Sequence, residues 1–228
     1  MDVRPGPRTA FLDLDEAFAA LEGQWEGGEV VVFHAGALHK PHLATHTAED
    51  FVEKNLAFTA KLLRLLATSK AVRLRKFVYT STTSVFGGGY GKDTVWVDEA
   101  SRPTVKNVYG WSKRAAEQLI ELQKQPQFVV LRACRFFPEE DDRETPHDEL
   151  EEENLKFVHV LNGRRLLLED VVSAHVCAAL TTGTESVCLN LGNTVALTRP
   201  EGPVTDKVLL ECYPFLPELL KHKNWKLP

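Results

Sequence analysis

Long apolar runs are absent from this 228-residue chain. None approaches the roughly 20 residues of a membrane-spanning helix, so no membrane partner is expected. The opening Met1-Asp-Val-Arg-Pro-Gly-Pro-Arg8 has no hydrophobic stretch and reads as no secretory signal. Basic residues are not in excess: 27 Lys and Arg face 32 Asp and Glu, a formal net charge of −5, which argues against a nucleic-acid-binding surface. Cys134, Cys177, Cys188 and Cys212 lie too far apart for a zinc knuckle or a small disulfide framework. They are expected as reduced thiols in a cytoplasmic protein, some of them simply core residues. Internal repeats and low-complexity linkers are missing as well. A hydrophobic content of 43% and a charged content of 26% are ordinary for a soluble globular protein, and the length suits one domain, or one domain with a small appendage.

What the chain does contain is an alternation of short apolar runs with helical patterns, the mark of parallel βαβ units. Val30-Val-Val-Phe33 is a continuous apolar run ending at His34, as expected for a strand covered on both faces. The small residues Ala35-Gly-Ala37 follow, allowing a ligand or another backbone to come close. Thr47 and Asp50 have the spacing of a capping box opening a helix with Phe51, Val52, Leu62, Leu63 and Leu66 as its apolar residues. Arg73-Leu-Arg-Lys76 reads as a helix-to-strand turn before the strand Phe77-Val-Tyr79, which passes into hydroxyl residues and then Gly87-Gly-Gly-Tyr-Gly91. A helix carrying Tyr109 is expected to run to about Gln123, with the strand Phe128–Leu131 after it, ending at Arg132. The acidic segment from Pro138 to Glu153 reads as a solvated loop. Leu166–Val172 leads into a short helix to about Leu180, Val187–Leu191 reads as a further strand, and Leu209–Pro228 as a short helix and tail.

The sharpest feature is Tyr109-Gly-Trp-Ser-Lys113. In a helix Tyr109 and Lys113 stand one turn apart on one face, and continuing that face through Ala116 and Ile120, with Leu119 beside them, puts Lys113 on the side to be buried. A fixed ammonium beside a phenol favours the phenolate and lowers the tyrosine pKa, giving a proton donor or acceptor usable near neutral pH. An isolated pair of this spacing is more simply a snorkelling boundary lysine and an interface aromatic. Here the flanking hydroxyl-rich strand end tips the reading toward chemistry.

Taken in order, these pieces resemble the NAD-dependent epimerase/dehydratase family, the extended short-chain dehydrogenase/reductases. The pieces are His34-Ala-Gly-Ala37, Asn55 in the next helix, Thr80-Ser-Thr-Thr-Ser-Val-Phe-Gly87, Tyr109-x-x-x-Lys113, the strand ending Leu131-Arg132, and Asp170-Val-Val172. The match covers about Phe11 to Leu180. The resemblance implies a Rossmann-like α/β fold, a parallel sheet flanked by helices, and NAD or NADP as cofactor. It also implies a small-molecule substrate, plausibly a nucleotide sugar or related alcohol, and dimer contacts through the Tyr109 helix in a homodimer. Tyr109 would be the acid/base, Lys113 would bind the nicotinamide ribose and depress the tyrosine pKa, and Thr82 would hold the substrate oxygen, with Thr83 and Ser84 close in register. Ala35 and Gly36 would line the cofactor through their backbone, and Asn55 belongs to the same cofactor-binding set. Asp13-Leu14 would meet adenine, with Asp2-Val3 as a rival placement.

The sequence departs from that family in having no G-x-x-G-x-x-G turn to hold a pyrophosphate. Gly87–Gly91 opens no helix and reads as a loop beside the site. Phe58 stands where a small residue is expected, and Ala133 where a proline is common. The chain is therefore expected to be N-terminally truncated, entering the fold near its third strand. Residues 1–180 would form an incomplete NAD(P)-binding domain and 181–228 a partial C-terminal substrate-side region. In the family's order 3-2-1-4-5-6 the first strand pairs with Val30–Phe33, whose edge would stay open unless the segment around Thr9–Leu12 or a partner chain covers it, or the sequence is a truncated gene model. NAD versus NADP is decided at the second strand, which is not represented.

Two other classes stay open at this stage. One is a non-catalytic relative, a binding or regulatory module that keeps the fold and has lost dinucleotide binding. The other is a metal hydrolase using His39, His42 and His46; Pro41 among them interrupts a helix and no carboxylate is suitably placed, so no metal is expected.

Overall fold

The computed structural model describes residues 13–24, 28–87, 97–123, 127–137, 165–182 and 185–192, with 217 and 221 as isolated positions. Expectations for Asp2-Val3, Thr9–Leu12, the acidic segment 138–153, Gly88–Gly91, Cys212 and nearly all of the C-terminal stretch fall outside these residues.

The elements are α1 (Leu14–Gln24), β1 (Gly28–His34), a 3₁₀ turn (Lys40–Ala44), α2 (Ala48–Phe51), a π segment (Val52–Ala57), α3 (Phe58–Thr68), β2 (Val72–Thr82), a second 3₁₀ turn (Thr83–Phe86) and α4 (Val108–Glu121). After them come β3 (Gln127–Ala133), β4 (Arg135–Phe137), β5 (Arg165–Leu167), α5 (Leu168–Leu180) and β6 (Val187–Leu191). Four strands form one parallel sheet in the order β1-β2-β3-β6, and β4 pairs with β5 in a small parallel sheet of its own. β6 therefore extends the main sheet past residue 180. β1 and β6 are the edge strands among the described residues.

Each face of the sheet is covered because each strand is apolar on both sides. Phe77, Tyr79 and Val130 pack against Phe18 of α1, Leu62, Leu63 and Leu66 of α3, and Ala116 and Ile120 of α4. On the opposite face Val78, Val129 and Leu131 meet Ala174 and Ala178 of α5. Thr47 caps α2 as its spacing predicts: its hydroxyl accepts from Asp50 N and Asp50 reaches back to Thr47 N. The helix then widens into the π segment, a distortion that often marks a functional position.

The basic cluster Arg73–Lys76 is not a turn. All four residues lie in β2, where Arg73 pairs with Glu29 of β1. The register slips between Val30 and Val31, so Arg75 is bulged. Arg75 Nη2 donates to Ala179 O at 3.1 Å, and Lys76 Nζ donates to Ala178 O at 2.9 Å and to Thr181 O. The two cations thus satisfy carbonyls at the end of α5, where the helix dipole favours positive charge. That use of charge needs a tertiary partner 100 residues away and leaves no local pattern. Among the described residues no helix is long and apolar enough to cross a membrane.

Candidate active site

At the carboxyl end of β2 the chain leaves the sheet through Thr82, whose hydroxyl accepts from Ser84 N at 3.1 Å and starts the second 3₁₀ turn. Gly87 closes that turn at φ 68°, and a side chain there would run into Thr104 O. Thr104 locks the returning segment, its N–H donating to Val85 O at 2.9 Å and its hydroxyl to Phe86 O at 2.7 Å. The chain then enters α4 through Asn107, whose side chain accepts from Gly110 N at 2.9 Å. Gly110 is what lets α4 reach the Thr82 turn, since a Cβ at that position would lie 2.8 Å from Ser84 O.

This docking brings Tyr109 to Thr82. Burial lifts the pKa of the Tyr109 phenol above its ordinary value, and a side-chain hydrogen bond with Thr82 works against the rise. The expected lowering by Lys113 is not what shapes the phenol here. Lys113 turns instead toward β2, donating from Nζ to Thr80 O at 2.6 Å and resting 4.1 Å from the centroid of the Tyr79 ring. It is 2% exposed, so the buried side of the helix is indeed where it falls. Burial drags its pKa down to about 7, opposed by the Glu117 carboxylate.

Polar residues continue along the same buried face of α4. Glu117 accepts from Arg132 Nε at 3.0 Å and Nη2 at 2.8 Å, from Arg114 Nη1 at 2.9 Å, and from the Ser81 hydroxyl. A fully buried carboxylate is tolerated because two guanidinium groups and a hydroxyl satisfy it. Ser112 donates to Tyr109 O at 2.9 Å and accepts from Asn55 Nδ2 at 2.9 Å. Asn55, on the π segment, also clamps Leu38 on both sides: its Oδ1 accepts from Leu38 N at 2.7 Å and its Nδ2 donates to Leu38 O at 3.0 Å. The loop after β1 is thereby tied to the start of α4, and Leu38 packs with Phe51 and Tyr109.

His34, at the end of β1, is buried beside this cluster. Its Nε2 lies 2.7 Å from the Thr59 hydroxyl, which itself donates to Asn55 O at 2.6 Å. The hydroxyl proton is thus committed, so His34 carries its own proton on Nε2. Burial, reinforced by the Lys113 charge, drops its pKa to about 3. Ala35 is exposed and Gly36 half-buried at the mouth of the sheet. Asp13 caps α1, its Oδ1 accepting from Asp15 N at 2.8 Å and Glu16 N at 3.3 Å, and it lies 3.9 Å from Lys61 of α3. Leu14 packs on the core beneath. Because α1 returns to the start of β1, Asp13 stands toward the carboxyl side of the sheet, where ligands of open parallel sheets bind.

Of the residues singled out from sequence, Thr82, Tyr109, Lys113 and Asn55 are joined in one buried cluster, with Ala35 and Gly36 at the end of the neighbouring strand. Asp13 and Leu14 make their contacts with α1, α3 and the core instead. Missed were Ser81, Ser112, Glu117, Arg132, His34 and Tyr79. Glu117 could have been found, because it sits one turn beyond Lys113 on the same face. His39 and His42 meet as tilted rings and His42 and His46 edge to face, with ring centroids 4.6 Å and 5.1 Å apart. Among the described residues no group of three or more His, Cys, Asp or Glu could hold a metal ion.

The model of the NAD dependent epimerase/dehydratase family matches residues 20–192, well over half of the chain. No curated protein sequence matches it significantly. Among solved structures it is similar to UDP-glucuronic acid 4-epimerase from Bacillus cereus in complex with UDP-glucuronic acid and NAD, at 22% identity and a TM-score of 0.53, covering 71% of this chain and 53% of that one. UDP-glucose 4-epimerase from Brucella ovis in complex with NAD matches at 18% identity and a TM-score of 0.55, covering 77% and 61%. UDP-N-acetylglucosamine 4-epimerase from Methanobrevibacter ruminantium M1 matches at 16% and 0.54, covering 84% and 60%. At these identities the likeness is one of fold, and the chain spans less than two thirds of each.

Proposed function

The chain belongs to the NAD dependent epimerase/dehydratase family, and from that footing we propose an NAD(P)-dependent oxidoreductase, epimerase or dehydratase with Tyr109 as its acid/base. Its substrate is a hydroxyl or keto group of a small molecule, a nucleotide sugar or related alcohol. The observation that carries this reading is the buried face of α4, which holds Tyr109 against the Thr82 end of β2 with a fully buried Lys113 one helical turn along.

The residues present suit the nicotinamide–ribose end of a dinucleotide. Ala35 and Gly36 leave room at the carboxyl end of β1, and Lys113 is a cation with no carboxylate partner among the described residues. Asp13 with Leu14 is the pair we assign to the adenine end. A glycine-rich cradle for the pyrophosphate is not among the described residues. The cofactor, when bound, supplies the hydride acceptor and donor.

The remaining chemistry belongs to the chain. A phenol with a raised pKa is protonated at neutral pH, so Tyr109 donates its proton to a developing alkoxide on the substrate carbonyl. In the opposite direction its phenolate oxygen takes the proton of a substrate hydroxyl. Thr82 steadies the substrate oxygen, and the Lys113 ammonium stabilises the phenolate while it exists. The Asn55–Ser112 chain fixes the start of α4 so that these groups keep their spacing. A homodimer through α4, where Trp111 is 45% exposed, belongs to the same proposal.

Thermal-shift titration with NAD(H) and NADP(H) tests it. One of the pairs should raise the melting temperature of the wild-type chain and have little effect on Lys113→Met. The absence of any shift at millimolar cofactor would overturn the proposal and favour a fold relative that has lost dinucleotide binding.

A further inference from the structure

A buried ammonium normally rests against a carboxylate, yet Lys113 has none among the described residues. Glu117, one turn along, has its oxygens engaged by Arg132, Arg114 and Ser81. What touches Lys113 comes from two consecutive residues of β2: the Thr80 carbonyl at 2.6 Å and the face of the Tyr79 ring, 4.1 Å from its centroid. Tyr79 is 1% exposed, wedged among Phe77, Ala116 and Ile120, and its hydroxyl is buried with no hydrogen-bond partner among the described residues. A phenol that uses its ring and leaves its hydroxyl unpaired is held there for the ring.

We propose that Tyr79 is the positioning residue of Lys113, its aromatic face rather than any anion holding the ammonium at the end of β2, one helical turn from Tyr109. The ring quadrupole attracts a cation most strongly where water is excluded, which is the environment this pair occupies. A neutral partner has a consequence that a hydrogen-bonded carboxylate would not: no anion is in direct contact with the ammonium to neutralise it. The inference rests on the reading of Lys113 and Tyr109 given above, while its test needs neither cofactor nor turnover.

The test is the rate at which Lys113 is acetylated by acetic anhydride in the full chain, followed by mass spectrometry of the peptide that carries it. Tyr79→Phe keeps the ring and removes the unpaired hydroxyl, and should label as slowly as wild type. Replacing that phenylalanine with mono-, di- and trifluorinated rings weakens the quadrupole at almost constant shape. Labelling should rise stepwise to about threefold or more, with the circular dichroism of the folded chain unchanged. Tyr79→Leu should label faster still. A flat rate across the fluorinated series would overturn the proposal, as would Tyr79→Phe labelling as fast as Tyr79→Leu. A failed cofactor titration would count against the enzymatic reading and leave this result standing.

Discussion

Lys113 shows how a side chain can be costly to the fold and still retained. Its pKa of about 7 against an ordinary 10.5 means the unfolded chain holds this proton more tightly than the folded one. Between those values the unfolded state binds more protons, so stability should rise as pH climbs from about 7 toward 10.5, by on the order of a few kcal/mol. Lys113→Met should accordingly melt higher than wild type at pH 7 and lose most of that pH dependence, as followed by urea denaturation. His34 acts on the acid side with the same sign. Its folded pKa of about 3 lies below 6.5, so its contribution is present above 6.5 and is lost as pH falls toward 3. His34→Gln should flatten that acid limb. A wild-type denaturation midpoint that stays constant from pH 6.5 to 4 would contradict the buried, neutral imidazole.

Element by element, the site depends on how closely α4 approaches β2. Gly110→Ala inserts a Cβ 2.8 Å from a backbone carbonyl, which cannot swing aside as a side chain can. The helix start should shift and Tyr109 should move away from Thr82. Overpacking of this kind costs roughly 1–3 kcal/mol, readable by denaturation. The Glu117–Arg132 pair ties α4 to β3 from inside the protein. Glu117→Ala leaves Arg132 buried and unpaired, at a cost of about 3–5 kcal/mol. A double change, Glu117→Leu with Arg132→Met, should recover much of that loss; double-mutant denaturation measures it.

Such elements divide sharply in how far they could be read from sequence. The Val30–Phe33 and Phe77–Tyr79 strands, the Thr47 cap and the Tyr109–Lys113 face follow from period and spacing, because local geometry alone sets which residues share a side. Arg75 and Lys76 were legible only as charge, since their partners are carbonyls at the far end of α5. Ser112 and Arg132 carry no local sign of burial, and Gly110 looked like an ordinary residue of its motif until Ser84 was placed against it. The Tyr109 pKa also ran opposite to expectation. A single face of a helix shows that two groups are near, whereas the degree of water exclusion around them comes from the packing of several elements.

For the molecule as a whole, four parallel strands with helices on both faces bring one cluster to the carboxyl ends of β1 and β2. Phe33 is 50% exposed on the edge strand β1, and Val172 is 53% exposed on α5.

The central claim is that Tyr109 moves the proton while hydride passes between cofactor and substrate. It is tested most directly by chromatography of the products formed from UDP-sugars, read beside absorbance at 340 nm for any net oxidation, with the nicotinamide cofactor that stabilises the chain, for wild type and Tyr109→Phe side by side. Cofactor-linked turnover in the wild type that falls about 10²–10⁴-fold in Tyr109→Phe, with the melting temperature preserved, is the predicted result. Equal turnover by the two proteins would contradict it.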